Sequence, residues 1–194
     1  MILEGLIGLV LDLVRGVVGD REISWGNGTQ SPYGVRWRFM TRLDINSDSS
    51  RVPDVARLLE AHRTFAVTWS QPGVGHALDV DQLAADDISF FSARHSGKLV
   101  GTGALQHLDA AHVEIKSMHT AEEARGRGVG RAMLQHLLTT ASDRGYRRVS
   151  LETGTGDAFA PARALYRSLG FETCSPFGSY QSHEDSICLS LRLE

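Results

Sequence analysis

Residues Glu114 to Arg131 read EIKSMHTAEEARGRGVGR, and Ala132 to Ala141 continue as AMLQHLLTTA. The first part is strand-like, the middle is dense in Gly and Arg, and the last has the apolar spacing of an amphipathic helix. Glycines let a backbone come close to a ligand, and a helix start presents unpaired N–H groups at the positive end of its dipole. Arg125, Arg127 and Arg131 add fixed positive charge. Together these features suit a pyrophosphate, so a nucleotide-bearing cofactor is expected.

Several phosphate loops share this composition. A Walker A loop places Lys and then Ser or Thr after its last Gly, whereas Arg131 and Ala132 follow Gly130 here. A Rossmann fingerprint spaces its glycines as G-x-G-x-x-G, whereas Gly126, Gly128 and Gly130 alternate singly. On this window alone, a Gly/Arg turn entering a surface helix stays open as the bland reading. Downstream, Arg144 to Gly154 reads RGYRRVSLETG. Gly145 suits a helix C-cap there, and Val149, Leu151 and Thr153 alternate as in a strand. Phe159 to Phe171 reads FAPARALYRSLGF, a second helix with Pro161 in its first turn and Gly170 at its end.

The spacing Arg125-x-x-Gly128-x-Gly130 resembles the R/Q-x-x-G-x-G/A signature of the GNAT superfamily of acetyl-CoA-dependent N-acetyltransferases. In that family the loop amides hold the pyrophosphate of coenzyme A. Ala162 to Phe171, A-x-x-L-Y-x-x-x-G-F, resembles the family's other strongly marked segment. The two stand in the right order with a helix and a strand between them, and the resemblance covers Arg42 to Leu193. It implies an α/β fold, the GNAT acyl-CoA N-acyltransferase fold, with a mixed, mostly antiparallel central sheet flanked by helices. The compact layout resembles bacterial single-domain small-molecule acetyltransferases.

A chain of 194 residues suffices for one full core. Its 42% hydrophobic and 22% charged content mark a soluble globular protein, and a net charge of −3 without a basic run leaves nucleic acid an unexpected partner. Cys174 and Cys188 lack metal-ligand spacing and are expected to be reduced thiols of a cytoplasmic protein, with disulfide pairing the open alternative. Residues 1–39 stand apart. Leu3, Leu6, Val10, Leu13 and Val17 fall at helical spacing, but Met1 to Val18 is too short and too charged for a membrane span, which wants about 20 apolar residues. It lacks the basic leading region and cleavage site of a secretory signal. Gly26 to Gly34 follows as a Gly/Ser/Asn/Pro linker. The acetyltransferase-like domain is expected to span residues 40–194, beginning at Met40. Residues 1–39 are expected to be an extension foreign to the native protein or a loose amphipathic tail.

From Met40 the pattern predicts a strand over Arg42–Asn46 and a helix over Arg51–Arg63, begun at Ser49 or Ser50 with Pro53 near its start. A loop is expected over Thr68–Ala77 and a short helix near Asp81–Ala85. Strands are expected over Ile88–His95, Lys98–His107 and His112–His119, with turns at Ser96-Gly97 and Asp109-Ala-Ala. A last strand is expected over Ser186–Leu193.

Acetyl transfer from a thioester to an amine needs the carbonyl held and polarised, the amine deprotonated and the departing thiolate protonated. The resemblance implies that Met118, His119 and Thr120, at the end of a splayed strand, hold the pantetheine arm through main-chain groups. It implies that Arg125, Gly126, Arg127, Gly128, Val129, Gly130 and Arg131 form the phosphate loop. Tyr166 occupies the position resembling the family's general acid. The family's usual Asn seven residues before that Tyr is replaced here by Phe159. Glu114 lies eleven residues before Arg125, the offset of the catalytic glutamate in GNAT histone acetyltransferases. Glu152, on the neighbouring strand, is the second candidate base. Both carboxylates also suit binding of an ammonium. His76 and Asp79, in the loop where the family places its acceptor cap, and Tyr180, in the turn before the last strand, are candidate substrate contacts.

His76, His95, His107, His112 and His119 follow no ligand spacing, and no metal is expected. The leading expectation is therefore an acetyl-CoA-dependent N-acetyltransferase acting on a primary amine of a small-molecule acceptor by direct attack in a ternary complex. A protein or peptide N-acetyltransferase and a non-catalytic acyl-CoA sensor are the alternatives. A homodimer is left open.

Overall fold

A computed structural model of the chain describes residues 43–70 and 77–194. The extension over residues 1–39, the start at Met40 and the reading of His76 lie outside the described residues. The elements are β1 (Leu43–Ser47), α1 (Pro53–Trp69), β2 (Ile88–His95), β3 (Lys98–Asp109), β4 (His112–Thr120), α2 (Val129–Asp143), β5 (Arg148–Gly154), α3 (Ala160–Arg167), β6 (Glu172–Thr173) and β7 (Ser186–Arg192). Among the described residues the strands form one seven-stranded sheet in the order β1-β2-β3-β4-β5-β7-β6. Neighbours are antiparallel except β4 and β5, which run parallel. This is the mixed, mostly antiparallel sheet expected from the sequence.

Local chemistry explains the hairpins. Ser96 and Gly97 both take positive φ, 49° and 80°, the pair a tight two-residue turn requires. The Asp109 carboxylate accepts a hydrogen bond from the Ala111 amide at 2.8 Å, closing the next turn. Pro53 opens α1, where a missing N–H costs nothing. Ser50 does not cap this helix: it is buried, and its hydroxyl donates to the Val80 carbonyl at 2.7 Å. The helix also runs through Trp69, past the predicted end at Arg63 and into the predicted loop. Thr64, Val67 and Thr68 are weak helix formers, so pattern alone places the end early. Burial of Ala66 and the packing of Phe65 against other rings hold the extra turns in place.

Alternation along the strands builds two cores. Phe91, Val100, Leu105, Val113, Ile115, Val149, Leu151 and Leu189 point to one face, where they meet Met133, Leu134 and Leu137 of α2. Phe90, Leu99 and Ala104 point to the opposite face and pack on Val55 and Leu59 of α1. At about 25 cal/mol per Å² of apolar surface, such burial supplies most of the drive to this two-sided arrangement. The same alternation sends His112, Glu114 and Lys116 of β4 to the α1 side, away from α2.

Candidate active site

The parallel strands β4 and β5 share only three register pairs: His112 with Arg148, Val113 with Val149, and Glu114 with Ser150. β4 then continues to Thr120 and β5 to Gly154 without further pairing. A bulge accounts for the divergence. Thr102 pairs with His119 and Ala104 with Lys116, so Ser117 and Met118 together face Gly103. Ser117 absorbs the extra residue with a φ of 47°, and a bulge of this kind bends its strand. The Thr102 hydroxyl secures it, donating to the Ser117 carbonyl at 3.2 Å.

The resulting cleft is a cavity of about 610 Å³ whose walls come from both faces of the sheet. Glu114, Lys116, Glu152 and Tyr180 line one end, and Val129, Ala162, Leu165 and Tyr166 line the other face.

At the phosphate-loop end, Gly126 and Gly128 take φ of 71° and 86°, conformations that L side chains rarely adopt. Gly128 caps α2, which therefore begins at Val129, three residues before the predicted Ala132. Its first amides are presented beside Arg125, Gly126 and Arg131 in the cavity wall. Gly130 is close-packed: a Cβ there would lie 3.3 Å from Leu165 and 3.4 Å from the Thr120 hydroxyl. Arg131 donates to the Ser168 hydroxyl at 2.8 Å, and the Arg125 guanidinium lies 6.0 Å from the Phe65 ring centre. Arg127 is exposed and is not part of the wall. This chemistry, amides and guanidinium groups around an approachable backbone, fits a pyrophosphate.

Met118, His119 and Thr120 line the middle of the cavity. The His119 ring lies 5.0 Å from that of His62. Burial, with His62 and Arg125 adding repulsion, pushes His119 down to about 3, and burial pushes His62 down to about 4. Both rings are neutral at pH 7. Phe159 stands edge-on to Phe65 at 5.3 Å and lines the same wall.

At the far end, Glu114 and Lys116 form an ion pair with Lys116 Nζ 2.9 Å from Glu114 Oε1, their side chains only 4% and 11% exposed. Tyr180 completes it: its hydroxyl donates to Glu114 Oε1 and accepts from Lys116 Nζ, each at 2.5 Å. Burial first, and then the Glu114 charge, push the Tyr180 phenol well above the usual tyrosine range. Glu152 faces the same space, in register with Cys188 of β7. Tyr166 is 6% exposed, and burial raises its phenol far above the ordinary value, so it remains a proton donor.

Of the residues singled out from the sequence, the fold thus brings Glu114, Glu152, Tyr166 and Tyr180 to one cavity with Met118, His119, Thr120 and most of the phosphate loop. Asp79 stands apart. Its carboxylate accepts from the Gln82 amide at 2.8 Å while the Gln82 side chain accepts from the Asp79 amide at 2.9 Å, a reciprocal cap on the 3₁₀ turn Gln82–Ala84. Lys116 was not singled out, although it stands two residues after Glu114 and strand alternation puts both on one face. His62 and Phe65 were beyond reach, because they depend on how the longer α1 lies over the sheet.

His112 is buried between Ser150 and Arg148, 2.7 and 2.9 Å away, and His107 bonds the Tyr146 hydroxyl at 2.8 Å. No group of three or more metal-ligating side chains occurs among the described residues. Cys174 and Cys188 are free thiols, and the Cys174 amide donates to the Cys188 carbonyl at 3.0 Å. No helix among the described residues is long and apolar enough to cross a membrane.

The model of the acetyltransferase (GNAT) family matches residues 55–171. An uncharacterised N-acetyltransferase of Bacillus subtilis, YsnE, is 39% identical over 151 residues, covering 78% of this chain and all of that protein. An IAA acetyltransferase of Azospirillum brasilense is 40% identical over 142 residues, 73% of this chain and 92% of that one. Among solved structures, a GNAT family acetyltransferase of Elizabethkingia anophelis with acetyl-CoA bound superposes with a TM-score of 0.58 at 20% identity, covering 78% of this chain and 98% of that one, a likeness of fold.

Proposed function

The chain belongs to the acetyltransferase (GNAT) family, and from that premise we propose that it acetylates a primary amine on a small-molecule acceptor. The observation that carries the choice of acceptor is the charge layout of the cavity. Arg125 and Arg131 mark one end, while Glu114, Glu152 and Lys116 mark the other. The second set brings two carboxylates to one end, groups suited to binding an ammonium. A volume of about 610 Å³ is in the range of small-molecule sites. The 40% identical relative named as an IAA acetyltransferase supports a small acceptor too.

Acetyl-CoA supplies the activated acyl group. The amides at the start of α2, with Arg125 and Arg131, would hold its pyrophosphate. Main-chain groups at the Ser117–Met118 bulge, turned away from the regular ladder, would hold the pantetheine arm and the thioester carbonyl. Glu114 receives the amine proton. Both of its close contacts fall on Oε1, so neither occupies Oε2. Glu152 attracts the ammonium beforehand. The Tyr166 phenol, kept protonated by burial, donates to the departing thiolate. The amine attacks directly, and no enzyme nucleophile is involved.

The test is thiol release from acetyl-CoA across amino acids, polyamines, aminoglycosides and short peptides, with Tyr166→Phe alongside. Release with one small amine class, reduced in the variant, is expected. Release with peptides alone would move the acceptor to proteins.

A further inference from the structure

We propose that Lys116 is a positioning residue for acetyl transfer, acting through Glu114 and through the segment that carries Tyr180. The proposal rests on the reading of Glu114 as the base.

Three observations combine. Lys116 is nearly buried, and a lysine inside a protein is retained at a desolvation cost unless it is paired. Its ammonium bridges two elements that are distant in sequence. It lies 2.9 Å from Glu114 on β4 and donates to Tyr180, which belongs to the segment between β6 and β7. Tyr180 returns a hydrogen bond to the same Glu114 oxygen, so three groups close one ring.

The ring has chemical consequences. Lys116 supplies a counter-charge 2.9 Å from Glu114 in a site shared with Glu152. Because the ammonium and the phenol both hold Oε1, the carboxylate plane is fixed, and Oε2 presents a constant direction to the acceptor. The anchored Tyr180 also seats Phe177, whose ring lies 5.2 Å from Tyr180 and 5.4 Å from His112. Lys116 thereby sets the shape of the acceptor end as well as the charge of its base. It touches no reacting atom in this scheme.

The experiment uses the full chain and the best amine found in the thiol-release panel. Glu114→Gln, Lys116→Met, Lys116→Arg, and the Lys116→Met/Glu114→Gln pair are compared for acceptor kcat/KM, KM for acetyl-CoA and thermal midpoint. Glu114→Gln should lose about 10²-fold or more in acceptor kcat/KM, as expected for loss of a general base. Lys116→Met should lose a similar factor without changing KM for acetyl-CoA. Lys116→Arg, which keeps the charge, should recover most of that loss. The double variant should be no slower than Glu114→Gln alone, since a residue that works through Glu114 has nothing left to position. Should Lys116→Met not fold, Lys116→Gln, which retains a donor for Tyr180, is read in its place.

Full activity in Lys116→Met beside an inactive Glu114→Gln overturns the proposal and leaves the base reading intact. A multiplicative loss in the double variant overturns it too, because Lys116 would then act on its own. Full activity in Glu114→Gln removes the base reading and the proposal together.

Discussion

A Cβ added to Gly154 would stand 2.4 Å from the ring of Phe159. The ring packs against the last residue of β5 and stands edge-on to Phe65 of α1. Glycine at this position lets helix α1 and the start of α3 meet across the end of a diverging strand.

Gly154→Ala should therefore displace Phe159. Overpacking of this kind costs about 1–3 kcal/mol. A lower thermal midpoint and weaker acetyl-CoA binding by calorimetry are expected, and Phe159→Ala in the Gly154→Ala background should restore the midpoint in part. An unchanged midpoint in Gly154→Ala would show that the ring moves freely.

Ser117→Gly and Ser117→Val separate the bulge from the side chain. The φ of 47° suits glycine, whereas a β-branched residue in that region is strained by about 1–2 kcal/mol. The glycine variant should keep its stability and its turnover. The valine variant should lose stability, and its kcat should fall as the bulge is pulled back into the regular ladder. Equal kinetics in the two would disconnect the bulge from catalysis.

Tyr166→Phe should lower kcat by about 10²-fold with little change in either KM, the signature of a lost proton donor. Since burial raises the phenol above its ordinary value, the protonated form persists as pH rises. Wild-type kcat should accordingly hold up to at least pH 9.5 with no fall attributable to this group. A basic limb that disappears in Tyr166→Phe would contradict the assignment.

His62 and His119 give the fold an acid sensitivity. Their folded pKa values, about 4 and about 3, lie below the unfolded value near 6.5. As pH falls through 6.5 the unfolded chain takes up protons that the folded chain refuses, so stability declines from there toward pH 4. Each histidine contributes at most about 1.4 kcal/mol per pH unit in that window. Thermal midpoints measured from pH 7 to pH 4 should fall less steeply in His62→Leu than in the parent. A parallel decline would assign the sensitivity elsewhere.

Much of the site was legible because it follows from spacing. Gly126, Gly128 and Gly130 announce a loop that must curve and be approached, and Ala162 to Phe171 announces the helix that carries Tyr166. Glu114 and Tyr180 were singled out separately, one on a strand and one in a turn, but their contact spans 66 residues of chain and no local pattern encodes it. Asp79 went the other way. It sits where a substrate loop was expected, yet it caps a short turn with Gln82, a use that looks the same in sequence. The early end predicted for α1 has a physical cause as well. Thr64, Val67 and Thr68 have poor intrinsic helicity, and contacts made by Phe65 and Ala66 in three dimensions help keep those turns wound. Phe65, which lies in those turns, was hidden for the same reason, and His62 because its place in the wall depends on how α1 lies over the sheet.

The three-pair seam between β4 and β5 makes the sheet behave as two half-sheets stitched at one end. β4 and β5 meet edge to edge only through these pairs, which end at Glu114 and Ser150. A ligand lying between the diverging strands would act as an extra rung, joining amides that the chain does not join to each other. Binding and rigidity are then one event. At a hundredfold excess over its Kd such a ligand stabilises the fold by about 2.7 kcal/mol. Slowed amide exchange should be concentrated along Ile115–Thr120 and Leu151–Gly154, with outer strands such as β1 unaffected.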